Sequence, residues 1–126
     1  MISFRQFDAG PDPFGRKYHV LLKWLQTAIS IRHSDSVDAK FVLDDDAGAH
    51  TEKTIAMHHP DLIAASHNTG RKMDDAWCGR IAALHLRHLI ETGEDLEKDL
   101  VTVPKAEIEA YAKQVLDDEK QPARVA

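Results

Sequence analysis

A single cysteine, Cys78, supplies all the thiol in this chain of 126 residues. No internal disulfide can form, and the expected setting is a reducing cytoplasm. Long apolar runs are missing too. None approaches the roughly 18 residues of a membrane-spanning helix, so no membrane partner is expected. The opening MISFRQFDAG has neither the basic start nor the apolar stretch of a secretory leader. Positive charge is in deficit, with 16 Lys and Arg against 21 Asp and Glu and a net charge of −5. No Lys/Arg run appears either, which argues against nucleic acid as a partner. Motif-level chemistry is equally sparse. There is no phosphate-cradling glycine loop, dinucleotide fingerprint or triad signature, and no CxxC, HExxH or HxH pattern.

What is present belongs to an ordinary globular chain. Hydrophobic residues make up 43% and charged residues 29%, enough at this length to bury a core without staples. We expect one domain over residues 1–120 and a frayed polar tail at 121–126. Alternation predicts a short strand over Ile2–Phe7, followed by a rigid loop punctuated by Gly10, Pro11, Pro13 and Gly15. The stretch Lys17–Leu25, KYHVLLKWL, reads as helix or strand; its aromatic and β-branched residues favour strand, with Tyr18, Val20, Leu22 and Trp24 on one face. Short segments at Ala28–His33, Val37–Asp44 and Thr51–Met57, separated by turn residues, predict an antiparallel meander. Its outer face would carry Asp38, Lys40, Glu52 and Lys53 and meet water or a partner.

The second half is helical in pattern. Pro60 starts a short helix that Gly70 can end, and Pro104 opens a last helix with Ile108, Tyr111, Ala112 and Val115 on one stripe. Between them, DDAWCGRIAALHLRHLIETG begins on capping aspartates and stops at Gly93. At about 100° per residue, Trp77, Cys78, Ile81, Ala82, Leu84, Leu86 and Leu89 form a broad apolar arc. The fold expected is therefore α+β: an N-terminal antiparallel sheet of about four or five strands packed against about three C-terminal helices, with a buried central helix near 75–92.

Eight histidines are spread along the chain, and two of them carry the main chemical signal. His85 and His88 fall inside the apolar arc, so each ring needs a polar partner within the burial. Spaced i, i+3, they could share one divalent cation such as zinc, although no third ligand is supplied at motif spacing. Hydrogen bonding of His85 inside the core is the simpler account. Cys78 lies in the first turn of the same helix, where the dipole favours a thiolate, but free cysteine is usually a small buried hydrophobe. His59, His67, Arg71 and Lys72 surround the short helix and could line a cleft for a small anionic ligand beside the next helix N-terminus. Asp44-Asp45-Asp46 lacks the alternate ligand spacing of a calcium loop and reads as a hairpin tip.

The function expected is that of a small non-enzymatic binding or protein-interaction module, self-associating as a homodimer through the exposed sheet face or the C-terminal helix, with no cofactor. The alternative is a small metal- or cysteine-dependent enzyme centred on Cys78, His85 and His88.

Overall fold

The structure is a computed structural model, and it describes residues 4–28 and 35–120. The expected strand beyond Ala28, the residues Ile2 and Ser3, and the tail 121–126 lie outside the described residues. Eight elements follow in order: β1 (Gln6–Ala9), β2 (Tyr18–Ala28), β3 (Ser36–Asp45), β4 (His50–His58), α1 (His59–Thr69), α2 (Asp75–Thr92), β5 (Leu100–Thr102) and α3 (Lys105–Lys120). The expected α+β arrangement is what forms: a five-stranded sheet with three helices.

Strands β1 to β4 make an antiparallel meander, because the loops joining them are too short for a crossover. After α1 and α2 the chain returns to β4 as a parallel edge strand, β5, which the sequence pattern left unassigned. Thr54 N–H donates to Asp99 O (2.7 Å) and Val103 N–H to Ala56 O (2.9 Å), so the short pairing is extended at both ends. The strand reading of residues 17–25 was right in type and partly wrong in face. A register shift between Leu22 and Trp24 sets Leu22 opposite Phe41 but Trp24 opposite Lys40. One extra residue, Lys23, reverses the alternation there, so Leu25 rather than Trp24 joins Val20 and Leu22 toward the core.

The core lies between this sheet and the helices. Alternate residues of β3 and β4 (Val37, Ala39, Phe41 and Leu43; Ile55 and Met57) face α2, whose Ile81, Ala82, Leu86, Leu89 and Ile90 are buried. The Asp74 carboxylate caps α2 by accepting Trp77 N–H at 2.9 Å, and Gly93 closes it in the left-handed conformation, donating to Leu89 O at 2.8 Å. Helix α2 packs on α3 and on β1, β3 and β4, while α1 packs on α3 and β4. The wide apolar arc of α2 is thus covered within one chain and does not by itself call for a second subunit. Gly79, inside α2, serves packing: a Cβ there would lie 2.4 Å from Cδ2 of Phe4, whose ring rests on the helix.

Lys53 differs from expectation. It shares the inward face of β4 with Ile55 and Met57 and is only 5% exposed. The strand alternation requires this placement. Its ammonium satisfies it by donating to the carbonyls of Asp95 (3.0 Å), Leu96 (2.9 Å) and Lys98, fastening the loop between α2 and β5 to the sheet.

Candidate functional site

His85 is buried in the α2–α3 seam, 3% exposed. Its Nδ1 lies 2.9 Å from the Tyr111 hydroxyl and 3.4 Å from Glu107 Oε2, both on α3. Burial, with His88 beside it, pushes its pKa down to about 4 from the ordinary 6.5, so the ring is neutral at pH 7. Burial likewise raises Tyr111 above the usual phenol range. His88 stacks on His85 with ring centroids 6.4 Å apart but is half-exposed, 3.8 Å from Glu94. Nε2 of His85 is buried without a hydrogen-bond partner among the described residues. No three His, Cys, Asp or Glu side chains are placed to hold one metal ion among the described residues.

The other nominated residues do not converge. Cys78 does lie in the first turn of α2, but it is buried, and burial pushes its thiol up to about 12 with Asp75 and Asp74 adding to the rise. Desolvation therefore outweighs the helix dipole, leaving a thiol rather than a thiolate. His59 opens α1, with its N–H donating to Asp35 O at 2.7 Å, whereas exposed His67 and the Arg71–Lys72 pair sit at the far end. Eight residue steps along the helix separate His59 from His67 by about 12 Å. The α2 N-terminus that was to complete an anion site is occupied by the chain's own Asp74 carboxylate.

Two further features stand out, and the sequence singled out only the second of them. The first is a cleft of about 150 Å³ on the helix side of the sheet, at the β3–β4 turn, lined by Arg16, Tyr18, Leu43, Asp45, Ala49, Thr51, Lys53 and Leu96. Its two walls are loops, and each is held by one buried charge. Lys53 holds residues 95–98, as above. Asp12, 4% exposed, holds residues 12–18. Its carboxylate accepts the N–H groups of Phe14 (2.9 Å) and Arg16 (2.9 Å), the Arg16 guanidinium (3.0 Å) and the Tyr18 hydroxyl (2.8 Å). Burial alone would push this carboxyl up, but the four donors outweigh it and bring it down to about 2. Tyr18, desolvated and hydrogen-bonded to Asp12, rises to about 12. A sequence signal for this anchor existed in retrospect: an aspartate within a Gly-Pro-rich loop is the usual acceptor of turn amides.

The second feature is the face of the sheet opposite the helices. Register places Asp8, His19, Asp44 and His50 in one row across four strands, Gln6, Leu21, Val42 and Glu52 in the next, and Trp24, Lys40, Thr54 and Leu100 in a third. His19 Nδ1 pairs with Asp8 at 2.8 Å and His50 Nδ1 with Asp44 at 2.5 Å. Glu52 bridges Lys23 and Lys40, both at 3.0 Å, and those two hydrogen bonds hold its carboxyl below the usual range. The Lys40 ammonium lies 5.8 Å from the Trp24 ring centroid. Leu21 is 38% exposed, with Trp24 and Val42 half-buried beside it. No helix of the described residues is long and apolar enough to cross a membrane. Comparison of the chain with protein-family models, with curated proteins and with solved structures finds no match.

Proposed function

We propose that the chain is a small non-enzymatic interaction module that docks through the open face of its sheet, with a second copy of itself as occupant. The observation that carries this reading is the charge order of the rows on that face. A row of His-paired aspartates (Asp8 with His19, Asp44 with His50) and a basic, aromatic row (Lys40 and Trp24) flank a central row that is apolar at Leu21 and Val42 and polar at its ends, Gln6 and Glu52. A two-fold axis along the central row sets Leu21 against Leu21 and Val42 against Val42. It also puts Lys40 of each copy over Asp44 of the other, Trp24 over His19, and Glu52, whose charge Lys23 and Lys40 already offset, over Glu52. A self-complementary patch of this kind is what an isologous dimer requires. Sheet-on-sheet contact at about 10 Å would bury the exposed part of Leu21 and Trp24.

Light scattering across a concentration series tests the reading. The unaltered chain is expected to approach twice its monomer mass, and Leu21→Asp to remain monomeric with an unchanged circular dichroism spectrum. A monomer at all concentrations removes the proposal. So does a dimer indifferent to Leu21→Asp.

A further inference from the structure

Burying a charge is costly, and the described core contains two buried charged groups that are not ion-paired to each other, Asp12 and Lys53. Both have the same structural consequence. Each fixes one of the two loops that wall the cleft beside the β3–β4 turn. Walls held this way are pre-organised, as a binding site requires and a loop crossing requires less. The third side is fixed as well, since Asp45 Oδ1 accepts Ala47 N–H at 2.9 Å and Ala49 N–H at 2.7 Å.

The chemistry left over after these bonds is specific. Lys53 uses all three ammonium protons on carbonyls, and Tyr18 uses its proton on Asp12, so neither has a donor to offer a ligand. Arg16 spends Nε on Asp12 and keeps its Nη groups unbonded among the described residues, while its guanidinium carbon lies 5.4 Å from the Phe14 ring. Asp45 spends Oδ1 on the turn and keeps Oδ2. The cleft therefore presents one cationic donor and one anionic acceptor, Arg16 and Asp45, both in its lining. Leu43, Leu96 and Ala49 supply the apolar lining. A cavity near 150 Å³ suits a ligand of about six heavy atoms, the size of benzene.

We infer that this cleft is a binding site for a small free α-amino acid, its carboxylate on Arg16 and its ammonium on Asp45. Side chains the size of those of glycine, alanine or serine fill that volume. This site lies on the helix side of the sheet and is independent of the face that docks a second copy.

The test is a titration of the full chain with L-alanine, followed by the amide resonances of Tyr18 and Thr51. Saturable shifts are expected. N-acetylalanine, which lacks the ammonium, and alaninamide, which lacks the carboxylate, should each bind at least about tenfold more weakly, the loss of one charged hydrogen bond. Asp45→Asn keeps an oxygen for the turn amides and removes the charge, so its spectrum should stay folded while L-alanine binding falls by a similar factor. Absence of saturable shifts overturns the inference. Equal binding of N-acetylalanine, or unchanged L-alanine affinity in Asp45→Asn, overturns it too. Should Asp45→Asn fail to fold, the two blocked ligands decide the matter on the unaltered chain.

Discussion

Replacing Gly79 by alanine sets two effects of opposite sign against each other. In an ordinary helix interior, alanine is favoured over glycine by about 1 kcal/mol, because glycine loses more backbone freedom on folding. Here the new Cβ would stand 2.4 Å from Cδ2 and 2.5 Å from Cε2 of Phe4. Carbon pairs rest at about 3.5–4.0 Å, so the ring must retreat by more than about 1 Å. Phe4 is partly buried against the core, and unseating it forfeits about 2 kcal/mol of the burial available to a phenylalanine. The loss wins, and Gly79→Ala is expected to destabilise the protein by about 1 kcal/mol. Removing the ring first reverses the sign. In a Phe4→Ala background the same substitution should stabilise by about 1 kcal/mol, a coupling of about 2 kcal/mol. Urea denaturation of the four proteins, followed by tryptophan fluorescence, measures both steps. Stabilisation by Gly79→Ala in the unaltered background would refute the reasoning, since it would mean that Phe4 is not seated on α2.

Three further outcomes follow from the buried polar groups. The pKa of His85 is lowered on folding from 6.5 to about 4, so its contribution is intact above pH 6.5 and is lost as the pH falls toward 4. The full loss is about 3 kcal/mol. His85→Asn, which can keep the bond to Tyr111 but does not titrate, should flatten that part of the stability–pH curve; an unchanged curve counts against a neutral buried His85. Cys78, with its thiol raised to about 12, should resist iodoacetamide in the folded state and react only on unfolding, and rapid labelling of native protein would contradict its burial. Lys53→Met keeps the stem but leaves three carbonyls without their donor, at a cost of about 3 kcal/mol softened by water entering the loop. Hydrogen exchange should then accelerate around residues 95–98 and not in α3; uniform acceleration would deny Lys53 its local role.

Periodicity made most of the architecture legible before any coordinates. The 3.6-residue pattern, Asp74, Gly70 and Gly93 marked the helices, because caps and stripes are local properties of the chain. The α+β class followed from strands preceding helices. The face of Trp24 was not legible, since nothing in YHVLLKWL marks Lys23 as the extra residue of a bulge; the register depends on β3. Lys53 was misplaced for a related reason. A lysine on a strand reads as outward unless the carbonyls that receive it are known, and these lie 42 to 45 residues away. The partner of His85 could be anticipated in kind but not in identity, because Tyr111 comes from a different helix. The cleft was invisible for the same reason: three loops distant in sequence meet around it, and its anchoring residues look like ordinary surface charges when read one by one.

The central claim, that two copies meet through the open sheet face with Leu21 on the axis, is tested most directly by cysteine cross-linking. Cys78 is buried and should stay silent, so Leu21→Cys introduces the sole reactive thiol among the described residues. With a short bismaleimide whose reach matches the sheet spacing of about 10 Å, this chain is expected to convert to a covalent dimer, while Ile63→Cys, more exposed (50% against 38%) and on α1 at the opposite side, stays monomeric. Failure of Leu21→Cys to cross-link, or cross-linking no faster than Ile63→Cys, would contradict the account.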